Sequence, residues 1–319
     1  MKAITLYAGK LGLNAARPEP VRKPGEVLVE IEQAGICETD LQLAQGYMGF
    51  EGILGHEFVG IASEGKFSGK RVVGEINCAC RDCDTCLAGR PTHCPHRTVV
   101  GIDRHDGAFA PRLAIPETNL HEVPDSLETD AAVFVEPLAA AFQIVDQVPI
   151  ALGDRVAILG DGRLGFLSAQ VLRLSTENVT VFGKHPSKLG RFETFAKTIQ
   201  IESPDEDFVS EGLFDVVVDC TGSTTGLPMA IRLARPRGTI VLKTTVANEH
   251  QQSLAAIVIH ELRVVGSRCG PFDKALRALA EGAIDVSGLV THRFSLEQVD
   301  VAFKAAVSPD AFKVVFEIG

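Results

Sequence analysis

The chain has 319 residues, 45% hydrophobic and 23% charged, a globular composition that excludes a disordered or fibrous protein. Its 31 basic and 41 acidic side chains leave a formal charge of −10, so it has no general attraction for nucleic acid or an anionic membrane, although a local basic pocket for one phosphate is compatible with that charge. No run approaches the roughly 20 apolar residues of a membrane span, and the N-terminus Met1-Lys2-Ala3-Ile4-Thr5-Leu6 lacks the apolar core of a secretion signal, so a cytoplasmic protein of about two domains is expected.

Up to about residue 125, short strand signals alternate with glycine and proline. Residues 27–31 follow the turn pair Pro24-Gly25, and 71–73 follow Gly69. A helical texture begins at Asp125-Ser126-Leu127-Glu128 and runs through the alanine-rich stretch 131–142. Beyond Gly153 the pattern becomes strand, glycine turn, helix, strand, with strands predicted at 156–159, 179–182, 216–218, 239–242 and 262–265 and a helix at 164–174. That alternation predicts a parallel sheet covered on both faces. Two amphipathic helices, near 272–281 and 296–306, precede a closing strand at 313–316. There is no internal repeat or low-complexity segment.

Of the eight cysteines, five fall within 17 residues, and a reducing compartment favours metal binding over disulfides. Cys80-x2-Cys83-x2-Cys86-x7-Cys94 places four thiolates on a loop containing Gly89 and Pro91. Four thiolates suit a closed tetrahedral zinc site of structural role; the alternative is scattered free cysteine, and Cys78 reads as a bystander.

A second set comprises Cys37, His56, Glu57 and Glu136. Singly, a cysteine at a strand end is a small core residue and a histidine is hydrogen-bonded rather than metallated. Glu136 lies within the apolar run Ala132-Val133-Phe134-Val135-Glu136-Pro137-Leu138, where an unpaired carboxylate is costly, unless it caps a helix opened by Pro137. Together the four read as a mixed sulfur, nitrogen and oxygen zinc site.

Gly160-Asp161-Gly162-Arg163-Leu164-Gly165 follows an apolar strand and opens a helix, the context in which a glycine loop admits a pyrophosphate; turn-forming glycines are the plainer reading. An acid at the end of the second strand would bind the ribose 2′-hydroxyl of NAD, but the position expected for it holds Gly183. Lys184, His185 and Lys188 surround that position, so NADP is expected in preference to NAD, with an exposed basic turn as the alternative.

These motifs together resemble the zinc-dependent medium-chain alcohol and polyol dehydrogenase family, nearly end to end. Gly55-His56-Glu57-Phe58-Val59-Gly60 is similar to its histidine-glutamate signature, Gly35-Ile36-Cys37 to its first ligand segment, and Val135-Glu136-Pro137-Leu138-Ala139 to its polyol-type last ligand. The resemblance implies an α/β protein: a GroES-like β-barrel catalytic domain (1–138 and 272–319) with a structural zinc lobe, and a Rossmann doubly wound parallel-sheet domain (139–271), with the active site in the cleft between them. It implies two zinc ions per chain, with Cys37, His56 and Glu136 binding the catalytic one, Glu57 beside it as an alternating ligand, and Asp40 fixing the His56 imidazole. Thr39 would take the substrate hydroxyl's proton, and Thr221-Gly222, in Asp219-Cys220-Thr221-Gly222, would pass the nicotinamide. The implied partners are a small alcohol or carbonyl substrate and further copies of the chain in a homodimer or homotetramer.

Two departures stand out. Many relatives end the proton relay with a histidine where this chain has Gln42, and some carry an arginine for the cofactor phosphates where it has Glu38. The expected reaction is reversible hydride transfer between an alcohol, polyol or sugar and NADP or NAD. Glu136 points to polyols, whereas Tyr47, Met48 and Phe50 would line an apolar pocket. A non-catalytic zinc-stabilised nucleotide-binding or redox-sensing protein is the alternative, but a sensor needs no open metal site. A zinc-free reductase of the same superfamily would lack Cys37, His56 and the cysteine lobe.

Overall fold

The strand Glu26–Gly35 alternates in burial, with Val27, Val29 and Ile31 inward and Glu30 exposed, and it organises the first of two units in this computed structural model. The structure describes residues 1–203, 208, 213–245 and 252–319. The first unit comprises Met1–Glu136 and Phe272–Gly319, and the second Pro137–Pro271.

In the first unit Glu26–Gly35 pairs antiparallel with Arg112–Pro116, Glu57–Ala62 and Lys313–Glu317. The seven-stranded sheet extends through Arg71–Gly74 and Leu120–Glu122 on one side and Val290–Phe294 on the other. Its register sets Gly35 opposite Glu57 on one neighbour and Val315 on the other, so the last strand of the chain lies beside the segment leading to Cys37. Phe109 and Phe316 pack edge to face at 4.9 Å beneath this sheet. Two three-stranded sheets complete the unit, one joining Ala3–Tyr7 to Lys10–Asn14 and Gly52–Ile53, the other holding the cysteine loop.

The alanine-rich run does not form one helix. A short turn, Thr129–Ala132, stops before the helix Val135–Gln147, which puts Glu136 in the first turn and Pro137 just behind it. Proline is tolerated there because a first-turn N–H has no intrahelical acceptor.

The second unit is a six-stranded parallel sheet whose strands, numbered in chain order, run 3-2-1-4-5-6. They are Val156–Leu159, Val179–Gly183, Lys197–Gln200, Phe214–Asp219, Ala234–Leu242 and Arg263–Gly266. Every residue of Val156–Leu159 is buried, as a central strand covered on both faces requires. The helix Arg163–Arg173 buries Phe166, Leu167, Ala169, Val171 and Leu172. This is the doubly wound Rossmann order, and its switch point falls between the first and fourth strands. Among the described residues no helix is long and apolar enough to cross a membrane.

Candidate active site

Cys37 ends the central strand's segment and occupies the N-cap of the helix Glu38–Ala44. Asp40, at the third helical position, accepts the Cys37 N–H at 2.8 Å through Oδ2 and the Gly55 N–H at 3.3 Å through Oδ1. Fully buried, that carboxylate ties the cysteine segment to the histidine segment. His56 Nδ1 stands 3.5 Å from Asp40 Oδ1, within ion-pair range but without hydrogen-bond geometry, and is a buried nitrogen with no hydrogen-bond partner. Burial alone would lower the His56 pKa, but the charge of Asp40, then that of Cys37, raises it well above the ordinary value. Thr39 Oγ1 lies 3.8 Å from Cys37 Sγ.

Glu57 is 2% exposed, and its Oε2 is ion-paired with the ammonium of Lys313, which is fully buried. The expected alternating ligand is therefore engaged by a cation from the last strand. Sequence reasoning missed Lys313, although a lysine inside the apolar run Ala311-Phe312-Lys313-Val314-Val315-Phe316 carried the same signal as Glu136. Gly35 makes room for the pair: a Cβ there would lie 2.4 Å from Lys313 Cε and 3.0 Å from Glu57 Oε2. The ammonium also sits over the Phe134 ring at 5.4 Å, two residues before half-buried Glu136. Among the described residues Cys37, His56, Glu57 and Glu136 do not come close enough together to share one ion as they stand. Gln42 Nε2 donates to Glu38 Oε1 at 3.0 Å, so the two departures form one pair along a helix face. Phe50 is buried and Met48 is exposed.

The ligand atoms of Cys80, Cys83, Cys86 and Cys94 all lie within 4.8 Å of one another. Sulfurs bound ~2.3 Å from a tetrahedral zinc stand ~3.8 Å apart. Here Cys80–Cys94, Cys83–Cys94 and Cys80–Cys86 are separated by 3.4, 3.8 and 4.0 Å, close to the spacing that ion requires. Burial pushes the Cys94 thiol up, but the Cys80 and His96 amides and neighbouring thiols outweigh it and bring the value down to about 6, suited to a thiolate ligand. Cys78 is buried outside the cluster, and burial pushes its thiol up to about 12.

In the second unit Gly160 turns with φ +114°, and a Cβ on it would meet the Cys220 carbonyl oxygen at 2.6 Å. That contact sets the glycine loop beside Thr221 and Gly222 at the switch point. Gly165 lets the helix approach: a Cβ there would lie 2.1 Å from the Gly160 carbonyl oxygen. Gly162 is the helix N-cap, and a Cβ on it would meet nothing within 4 Å, which leaves the open cradle a pyrophosphate needs. Arg163 and Leu164 form the first helical positions. Thr221 is anchored by Asp219, whose Oδ1 accepts its N–H at 2.9 Å and its hydroxyl at 2.7 Å, while the Gly222 N–H donates to Thr244 Oγ1 at 3.1 Å. At the end of the second strand the space left by Gly183 is taken by Asp161, whose Cβ and Oδ2 would lie 2.6 and 2.7 Å from a Cβ there. Lys184 is exposed, and His185 and Lys188 are half-buried on the turn that follows.

A family model described as the alcohol dehydrogenase GroES-like domain matches residues 23–125, and one described as the glucose dehydrogenase C-terminus matches residues 129–318. The chain belongs to the zinc-type medium-chain alcohol and polyol dehydrogenase family. A relative named sorbitol dehydrogenase, from Halalkalibacterium halodurans, is 28% identical over 99% of this chain and 98% of its own. Among solved structures, a Sinorhizobium meliloti 1021 protein described as a zinc-binding dehydrogenase bound to NADP is 31% identical with a TM-score of 0.86, covering 99% of this chain and 98% of its own. A protein from Escherichia coli CFT073, described as a short-chain alcohol dehydrogenase complexed with NADH, is 26% identical with a TM-score of 0.90, covering 100% and 99%. This dehydrogenase is accordingly an NAD(P)-dependent oxidoreductase, and the non-catalytic alternative falls away.

Proposed function

We propose that this dehydrogenase interconverts a polyol or sugar alcohol and its carbonyl form, with one catalytic and one structural zinc per chain. The observation that carries the reading is the arrangement around Asp40, which braces Cys37 and His56 and turns Nδ1 of a buried, otherwise unpartnered imidazole toward itself. Nε2 is then the nitrogen left for a metal. Cys37, His56 and Glu136 would hold a zinc ion, whose chemistry when bound is to lower the pKa of a substrate hydroxyl. Thr39, beside Cys37, would accept the hydroxyl proton and pass it to water, because Gln42 is held by Glu38 and is no base. Glu57, neutralised by Lys313, would keep the buried environment of His56 from carrying a second uncompensated negative charge.

Cys80, Cys83, Cys86 and Cys94 would hold the second zinc in a closed site. The glycine loop 160–165 would seat the pyrophosphate, with Thr221 and Gly222 along the nicotinamide. The charges of Lys184 and Lys188 support NADP, and Asp161, which engages His185, opposes it. A polyol is favoured by the likeness to a relative named sorbitol dehydrogenase.

The test is elemental analysis of protein purified without chelator, followed by a screen of polyols, simple alcohols and aldehydes with both cofactors. Two zinc ions per chain and turnover of a polyol are expected. One zinc or none overturns the metal assignment, and turnover of only apolar alcohols overturns the substrate class.

A further inference from the structure

We propose that Asp161 discriminates against a phosphate at the 2′-position of the cofactor's adenosine ribose, taking over from the glycine loop the role of the acid missing at the end of the second strand. The proposal rests on the dinucleotide reading of the glycine loop and names the residue that sets its selectivity. Asp161 is only 7% exposed. Its Oδ2 accepts the N–H groups of Lys184 and His185, both at 2.7 Å, and His185 Nδ1 lies 3.1 Å from each carboxylate oxygen. Two backbone donors and an imidazole at the head of the basic turn are thus committed to an internal anion.

These are the groups that a 2′-phosphate entering this turn would otherwise use, since phosphate is recognised by backbone N–H groups and charged donors. A phosphate arriving here meets saturated donors and a fixed negative charge at short range, in a site too buried for full solvent screening. A hydroxyl meets the opposite situation. Among the described residues Oδ1 accepts from His185 alone, so it retains a lone pair for an O–H donor.

The side chain of Asp161 also explains why position 183 is glycine. The carboxylate crosses from the first strand's loop to the second strand's end, and a Cβ at 183 would collide with Asp161 Cβ at 2.6 Å and Leu189 Cδ2 at 2.8 Å. The small residue that normally signals space for a phosphate here signals space already filled by an acid. Lys184 and Lys188 attract a phosphate from the surface, and Asp161 limits what that attraction yields.

The experiment measures dissociation constants of NADH and NADPH by their own nicotinamide fluorescence, with kcat/KM for NAD and NADP beside them, in the zinc-loaded wild type and in Asp161→Asn. The amide side chain keeps an acceptor for the turn and loses the charge. The NADPH-to-NADH affinity ratio should rise about tenfold, which corresponds to about 1.4 kcal/mol. Asp161→Ser, smaller and uncharged, should shift the ratio in the same direction, and a melting curve for each variant establishes that it is folded. An unchanged ratio in the two variants, or a shift toward NADH, overturns the proposal; the latter would make Asp161 a brace for a phosphate-binding turn. Wild-type protein that binds neither NADH nor NADPH would instead overturn the dinucleotide reading on which the proposal rests.

Discussion

Replacing Lys313 by methionine tests whether the Glu57–Lys313 pair holds the region together. The variant keeps most of the apolar stem and removes the cation that, among the described residues, is paired with Glu57, leaving a carboxylate that is 2% exposed. Breaking a buried pair by deleting one partner costs about 3–5 kcal/mol, because the survivor's desolvation is no longer offset. For a domain of this size about 2–4 °C of melting temperature accompanies each kcal/mol, so a fall of roughly 6–20 °C is expected. The chain has no tryptophan and two tyrosines, so the assay is circular dichroism rather than intrinsic fluorescence. Removing both charges in Glu57→Gln/Lys313→Met should restore at least half of the loss, since a neutral pair carries no desolvated ion. A single variant that loses less than ~1 kcal/mol, or a double variant no more stable than the single, would refute the reasoning.

Gly35→Ala should cost on the order of 1–3 kcal/mol, because its Cβ enters the space of Lys313 Cε and Nζ, and the cost should shrink in a Lys313→Met background; equal costs in both backgrounds would detach Gly35 from the pair. Cys37→Ser should abolish turnover, lose one zinc and retain NADH binding, whereas Cys86→Ser should lower the melting temperature and lose the other zinc; substantial activity in Cys37→Ser counts against the zinc mechanism. His121 should contribute to stability mainly on the acid side. Burial lowers its pKa, but Glu75 at 3.3 Å and then Asp273 at 3.0 Å raise it above the usual 6.5. A raised folded-state value means that the stabilisation is complete below about pH 6.5 and fades as pH rises through that higher value. The melting-temperature gap between wild type and His121→Gln should therefore narrow from pH 6 to pH 9, and a gap that widens contradicts the assignment.

What could be read in advance depended on how far apart the cooperating residues lie in the chain. The cysteine loop is legible because spacings of two, two and seven residues bring four sulfurs together with little help from the rest of the fold. The parallel sheet is legible because its central strands are buried on both faces and read as apolar runs. Lys313 was not legible as a partner of Glu57, since 256 positions separate them and only strand order decides that they meet across Gly35. The alanine-rich run looked continuous because propensity is blind to the packing that stops one turn at Ala132 and starts the next helix at Val135. The sequence likewise does not show that Asp161 fills the space beside Gly183, because that follows from two strands being neighbours, and composition does not report neighbours.

The strand Lys313–Glu317 supplies an ion pair that spans 256 positions. At about 5–20 residues per second of synthesis, Glu57 is added to the chain roughly 13 to 50 seconds before Lys313. In that interval the whole of Pro137–Pro271, contiguous in sequence, is produced and is able to close its own sheet. Until then the first unit's central strand lacks one of its neighbours and Glu57 lacks its counter-ion. A chain made only as far as residue 312 would carry every strand of the second unit while Cys37 and His56 stand on an incomplete sheet, and a ribosome stalled before residue 313 would present that state for direct study.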